Sequence, residues 1–293
     1  MATQKATEIP VSIVTACNSR FFRTLLQFLK SIARHKQHRK YKIIVYDLGM
    51  TVEQLSTLKK KFMRPYGISI KPFSFEKYPE FIREINNPNA EPRLREGAYA
   101  WKAPIIEHEI KLNQGIVFWL DSATVILKDL DDLIEKIVAH GQYVPYAGTG
   151  RIAEGCHVGT RKKLRFLEGL YSRRRRAGGC CGFSYHHPLA MRCLEKWRAL
   201  SLQEEIIAPV GANRGNHRYD QMLLGLILYD AEKRSGLVLT EDEVDISSMK
   251  RPIYMRTRNK VPNSVPLFLD GLCRMYFWTY NVADRFVIGL GRN

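Results

Sequence analysis

The stretch Gly115–Thr124, GIVFWLDSAT, decides the fold. Ile116 to Leu120 are all large and apolar, and Asp121-Ser122-Ala123 follow with no transition. A short run of β-branched and aromatic side chains reads as a strand buried on both faces. Asp121 at its end is a carboxylate that needs water or a partner. A strand covered on both sides requires helices above and below it, and the sequence upstream supplies them. Val11–Ala16 (VSIVTA) and Lys42–Leu48 (KIIVYDL) read as further buried strands, and Ile68–Phe75 alternates like another. Phe21–Ala33 has helical spacing, with Phe22, Leu25, Leu26 and Leu29 on one face. Val52–Phe62 reads as a basic amphipathic helix, Gly97–Leu112 as a third helix, and residues 86–93 as a loop. The order β-α-β-α-β-α-β implies a Rossmann-like α/β fold, with a mostly parallel sheet between helices. Ligands of such sheets bind beyond the carboxyl ends of the strands, where strand order reverses. Attention therefore falls on Thr15–Asn18, Asp47–Gly49 and Asp121–Ala123.

The second half is less regular. Tyr143–Gly148 reads as a strand, residues 149–160 as a glycine-bearing loop, and His187–Leu202 as a helix. Four arginines, Arg173–Arg176, precede Ala177-Gly178-Gly179. Those glycines could bring backbone N–H groups to a phosphate or sugar, or simply lead a loop into a strand. After a loop at 206–216, the helix His217–Lys233 opens with His217-Arg218-Tyr219-Asp220-Gln221. Helix-start chemistry accounts for Asp220 but not for the whole polar cluster. Asp121 either holds a ribose hydroxyl or a cation, or caps a turn or the helix starting near Asp129. Lys102 falls at the edge of its helix, where solvated lysines are common. His157, His186 and His187 read as surface or capping groups. No repeat, low-complexity segment or linker is visible. The expectation is one domain over 1–240, with a basic, aromatic extension at 241–293 packed on it.

The 293 residues carry 46 Lys+Arg against 29 Asp+Glu, a net charge of +17, with 45% apolar residues. This composition excludes a disordered, collagen-like or coiled-coil chain. Apolar stretches such as Met222–Tyr229 are far short of the roughly 20 residues of a membrane span. The polar first ten residues show no secretory signal, so a cytoplasmic location is expected unless an anchor was removed. The excess of cations calls for an anionic partner: nucleic acid, a phosphorylated small molecule, an anionic polymer or a membrane surface. The six cysteines, at 17, 156, 180, 181, 193 and 273, form no C-x-x-C pair and read as free thiols. Cys156-His157 with Cys180-Cys181 matches no common zinc spacing.

Trp101-Lys102-Ala103-Pro104, a helix and then IVFWLDSATVI resemble the centre of glycogenin-like GT-A glycosyltransferases. AGGCCGF resembles their Asn-Ala-Gly segment, and HRYDQ their Asp-Gln helix start. The order ACNSRFF, YKIIVYDLGM, AYAWKAPII, VFWLDS, IAPVGA, HRYDQ also resembles a poorly characterised domain family of nematode and plant proteins, grouped with nucleotide-diphospho-sugar transferases. The resemblance spans residues 11–233. It implies a GT-A fold and transfer of a sugar from a nucleotide sugar, UDP-linked, to a glycan or glycoconjugate hydroxyl. Thr15, Ala16 and Asn18 would line the nucleotide pocket, and Asp47 would touch the base or ribose. Lys102 would approach the diphosphate or sugar, Gly178 and Gly179 would line the sugar pocket, and His217 would lie beside the donor. Asp220 and Gln221 would stand near the anomeric carbon. Asp121 would be the first Asp of the Asp-x-Asp pair that holds Mn²⁺ or Mg²⁺.

Three departures bear on this. The second Asp is Ala123, no His follows His217, and the Asn of Asn-Ala-Gly is Ala177. A metal would be held by Asp121 and the diphosphate alone, or be replaced by cationic side chains. The arginine run and Lys250, Arg251, Arg256, Arg258 and Lys260 are candidates for that replacement. A GT-A-like protein that binds nucleotide or glycan without catalysis is the alternative. A nucleic-acid-binding protein is a further one, suggested by charge but carrying no RNA- or DNA-binding motif. The cations left over suggest an acidic acceptor or a peripheral contact with an anionic membrane.

Overall fold

Thirteen residues after β1 (Val11–Cys17) form the first long helix, α1 (Phe22–Arg34), and the chain continues to alternate strand and helix. The computed structural model describes residues 9–83, 94, 97–126 and 128–243, and the backbone of 254–256. In order there follow β2 (Lys42–Asp47), α2 (Val52–Leu58) and, after a π-helical turn, α3 (Arg64–Tyr66). Then come β3 (Ser69–Pro72), α4 (Lys102–Asn113), β4 (Ile116–Leu120), β5 (Thr124–Ile126), α5 (Asp131–His140), β6 (Gln142–Tyr143) and β7 (Tyr146–Arg151). The last are α6 (Val158–Lys163), β8 (Arg174–Arg176), β9 (Cys180–Ser184), α7 (Pro188–Ser201), α8 (Glu204–Ile207), α9 (Asp220–Ser235) and β10 (Tyr254–Arg256).

Six strands form one sheet in the order β3-β2-β1-β4-β9-β6. The pairs β2–β3, β1–β2 and β1–β4 are parallel, and β9 runs antiparallel to β4 and β6. Alternation along the strands sorts the core into two layers. Val14, Val117, Trp119, Cys181 and Phe183 pack under α4, α7 and α9. Ile13, Ile116, Phe118, Leu120 and Cys180 pack under α1, α2 and α5. All five residues of β4 are buried, as a central strand covered on both faces requires. The chain moves outward from β1 to β3 and then returns to the other side of β1 with β4. The reversal point therefore lies between the ends of β1 and β4, at Asn18 and Asp121.

Several expected elements differ, each for a local reason. The GIVFWLDSAT strand stops at Leu120, because the chain turns at Asp121, where the Thr124 N–H donates to the Asp121 carbonyl at 2.9 Å. Thr124–Ile126 is a separate strand paired with β10. Helix α4 starts at Lys102, since Gly97, Ala98 and Tyr99 have φ of 54°, 49° and 56°. Gly97 has to be glycine: a Cβ there would lie 1.8 Å from the Ile82 carbonyl oxygen. The third strand ends at Pro72, and Phe75 leaves it in a 3₁₀ turn. Tyr143–Gly148 divides between β6, which pairs with β9, and β7, which pairs with β8. The loops expected at 149–160 and 206–216 are shorter, because β7 runs to Arg151, α6 begins at Val158 and α8 reaches Ile207. The last helix begins at Asp220, not His217, because Tyr219 has φ 47° and ψ −121°. The expected loop at 86–93, most of the 241–293 extension, the side chains of its cationic candidates and Cys273 lie outside the described residues. No helix among the described residues is long and apolar enough to cross a membrane.

Candidate active site

At the reversal point lies a pocket of ≈ 610 Å³, open to solvent. Ala16, Cys17 and Asn18 from the end of β1 and Asp121, Ser122 and Ala123 from the end of β4 form its floor and one wall. Phe21, Phe75, Tyr99 and Trp101 supply aromatic walls. Arg20 stands over the Phe21 ring at 5.4 Å, and Arg214 stands over the Tyr99 ring at 5.7 Å and donates to its hydroxyl. Flat aromatic faces beside guanidinium groups suit a base and an anion in one ligand.

Against this pocket four segments meet at one ammonium. Lys102, the first residue of α4, places Nζ 3.3 Å from Asp121 Oδ1 and 2.9 Å from Asp220 Oδ2. It also donates to the Gly178 carbonyl at 2.8 Å. The rings of Trp119 and Tyr99 flank it at 5.6 and 5.7 Å. Lys102 is only 3% exposed. Burial works against its charge, but Asp121 and Asp220 outweigh that and hold its pKa above the ordinary lysine value. Burial pushes the Asp220 carboxyl up, against the pull of Lys102, and Asp121 adds repulsion. The Asp121 carboxylate is fixed from the other side by the Trp119 indole N–H, which donates to Oδ1 at 2.9 Å.

The two glycines form the seam of this cluster. The Gly178 carbonyl receives Lys102, and the Gly179 carbonyl receives the Asp121 N–H. A Cβ at Gly178 would come within 3.0 Å of Gln221 Cβ and 3.3 Å of Asp220 Oδ2, so a larger residue would force the start of α9 away. Gln221 donates its amide to the Arg176 carbonyl at 2.6 Å, tying α9 to β8. Tyr219, in a sparsely populated backbone region, turns the chain so that α9 begins with Asp220 facing Lys102. Such a conformation costs on the order of 1–3 kcal/mol and persists only where surrounding packing imposes it.

Of the residues singled out in the sequence, Ala16, Asn18 and Asp121 line the pocket, and Lys102, Asp121, Gly178, Gly179, Asp220 and Gln221 come together beside it. Thr15 lies one residue too deep, fully buried and outside the pocket wall. Asp47 sits at the end of β2, but its Oδ1 accepts from the Gly49 and Met50 N–H groups at 2.8 and 2.7 Å and stabilises its own turn. His217 is buried away from the pocket. Its Nδ1 accepts from the His157 N–H at 3.1 Å and its Nε2 faces the Ile207 carbonyl at 2.9 Å. This pattern requires the neutral ring, and burial lowers its pKa to about 4. His157 and His187 cap α6 and α7. The arginine run is mostly committed inside the protein. Arg173 pairs with Glu232 and Arg174 with Glu243, both at 2.7 Å, and Arg176 is fully buried. The aromatic walls and Arg214 escaped the sequence reading. They come from separate loops, and the only local signal was the aromatic pair in Tyr99-Ala100-Trp101.

The fold is similar to that of solved structures. The bifunctional glycosyltransferase WbbM in its apo form superposes with a TM-score of 0.50 at 14% identity, over 82% of this chain and 40% of that one. Core-mannan synthase A from Aspergillus fumigatus, in its Mn/GDP form, gives 0.49 at 11% identity, over 77% and 72%. The glycosyltransferase GlyE of Streptococcus pneumoniae TIGR4 gives 0.48 at 15%, over 96% and 64%. The fold is that of the GT-A glycosyltransferases. The chain spans less than half the length of WbbM. Residues 1–92 match a family described as a protein of unknown function, DUF1647, and no curated protein matches the chain in sequence.

The GT-A fold raises the question of a divalent ion, and the residues present do not fit one. Ala123 replaces the second carboxylate, and Asp121 is the one acidic residue among those lining the pocket. One of its oxygens already faces Trp119 Nε1 and Lys102 Nζ. Among the described residues no group of three His, Cys, Asp or Glu side chains could hold a metal ion.

Proposed function

We propose that the protein is a glycosyltransferase that moves a sugar from a nucleotide-diphosphate donor, with a UDP-sugar favoured, to a hydroxyl of a glycan or glycoconjugate. The observation that carries this reading is the Lys102–Asp121–Asp220 cluster at the reversal point of a GT-A sheet, beside an aromatic pocket. The likeness in motif order to glycogenin-like enzymes supports it. In this reading the base stacks within Phe21, Phe75, Tyr99 and Trp101, and the diphosphate points toward Asp121. Lys102 holds Asp220 in place and keeps it from repelling the donor. Asp220 presents a fixed negative charge to the positive charge that develops at the anomeric carbon. A preorganised charge in a site shielded from water is worth more than the same charge in solvent. Gln221 positions the start of α9 through its bond to β8.

The test is turnover with a panel of nucleotide sugars, reading hydrolysis and transfer. Asp220→Asn should abolish most of it while leaving nucleotide binding intact. Unchanged turnover in that variant would remove Asp220 from the reaction. Ala123 keeps a second reading in play, a GT-A protein that binds nucleotide or glycan without transfer. Calorimetric binding with no hydrolysis or transfer across the panel would favour it.

A further inference from the structure

Two segments on one side of the sheet carry cations that the proposed reaction does not use. No Asp or Glu occurs within 9–46 or 54–75. At the end of α1 and in the turn after it, Arg34, Lys36 and Arg39 are exposed. Helix α2 continues through the π-helical turn Lys59–Met63 into α3 without a break. Leu58 and Phe62 are buried in the core, which leaves Lys59, Lys60, Lys61 and Arg64 exposed. The His38 and Tyr66 rings meet edge to face at 5.0 Å and join the two segments into one face. Among the described residues none of these cations is in an ion pair, whereas Lys40 beside them is held by Asp129 and Asp131. Met63 and Tyr66 stand among them, 43% and 36% exposed. The face lies at the amino ends of the strands, where Lys42 opens β2 opposite Ser12 of β1. The pocket lies at the other end of β1, at Cys17 and Asn18.

We propose that this face docks the protein onto an anionic lipid surface, with the pocket turned away from the bilayer. The proposal does not rest on the nucleotide-sugar reading above. Clustered lysines and arginines are drawn to the negative potential of anionic headgroups without a fixed partner for each cation. Cations alone suit any polyanion. Met63 and Tyr66 favour a lipid surface, because a flexible thioether side chain and an amphipathic ring gain by entering the headgroup layer. A polyanionic chain instead tracks a groove of cations lined by stacking rings. Here the cations cover the outer side of two helical segments. Leu58 and Phe62 already fix the second segment to the core, so its charges are presented without folding on contact.

Flotation of the full chain with lipid vesicles tests this, using phosphatidylcholine alone and with about 30% phosphatidylserine. The expected result is binding to the anionic vesicles only, weakened roughly tenfold or more as salt rises from about 0.05 to 0.5 M. Lys59→Glu, Lys60→Glu and Lys61→Glu together should lower binding by roughly tenfold or more. Gln at the same three positions should give a smaller loss, and carries the test if the glutamates disturb the fold. Met63→Ser with Tyr66→Ser should weaken vesicle binding by about threefold. Arg161→Glu, Lys162→Glu and Lys163→Glu, on α6, change the net charge equally and should leave binding within about twofold. No preference for anionic vesicles, parental binding by both lysine variants, or an equal loss in the α6 variant overturns the proposal. Tighter capture by RNA or heparin than by anionic vesicles, with no effect of the Met63 and Tyr66 changes, assigns the face to a polyanion and overturns it as well. UDP binding, read by calorimetry in the same variants, should stay parental. Its absence from the parent would remove the nucleotide-sugar reading and leave the docking face standing.

Discussion

Lys102 and Arg176 are both buried cations on the same side of the sheet, and they are satisfied in opposite ways. Lys102 meets two carboxylates where one would balance it. Arg176, fully buried, has no carboxylate partner among the described residues. It donates to the carbonyls of Val144 and Thr240 and to the Tyr229 hydroxyl, and lies over the Tyr146 ring at 4.0 Å and the Tyr229 ring at 5.1 Å. Carbonyl oxygens and aromatic faces solvate a guanidinium and let its single positive charge stay in the core without a carboxylate. That is a clamp, fastening β8 to α9 and to residue 240. The lysine cluster instead brings two carboxylates to one ammonium at the edge of an open pocket, an arrangement that stability alone does not favour. The contrast separates a cation that fastens the scaffold from one beside the candidate site.

Substitution at each cation sharpens this contrast. Lys102→Met has the largest expected effect. It removes the ammonium that Asp121 and Asp220 share, at a cost of about 3–5 kcal/mol. Thermal unfolding should show a fall in melting temperature on the order of 10 °C. Asp220→Asn removes charge but keeps shape, so stability should hold while turnover drops by about 10²–10³-fold. An equal loss of stability and activity in that variant would break the distinction drawn above. The buried His217 gives a pH effect. Its folded pKa of about 4 lies below the unfolded value, so stability is full above pH 6.5 and falls as pH drops toward 4. The unfolded chain takes up a proton there that the folded ring refuses. The loss is about 3 kcal/mol, measurable by urea titration across that range, and His217→Gln should flatten the slope. Arg176→Leu should cost the least, about 1–3 kcal/mol, through the carbonyls it leaves unpaired. Nucleotide affinity should not change in that variant.

How much of this was legible depended on how local the signal was. The first four strands, α1 and α7 were readable because apolar period and strand length are properties of a few consecutive residues. Asp121 was readable as a site because a carboxylate directly after Phe118-Trp119-Leu120 demands a partner. The identity of that partner was not readable. Lys102 looks like an ordinary helix-edge lysine until the positive φ at Ala98 and Tyr99 delays the helix and turns the side chain inward. The arginine run read as a source of cations for a diphosphate, because nothing in RRRR says that alternate residues of a strand will face two tyrosines. His217 and Asp47 read as ligand contacts by resemblance; tertiary hydrogen bonds hold His217 in the scaffold, and local ones hold Asp47 in its own turn.

The sequence alone determined a doubly covered sheet, the strand ends at which the pocket lies, and the absence of a second acidic residue at position 123. Those follow from burial and from residue chemistry, which neighbours in sequence are enough to define. Only the tertiary structure decided which charges meet. Lys102, Asp121, Gly178 and Asp220 come from four segments, and electrostatic pairing depends on distances of about 3 Å that no sequence spacing encodes.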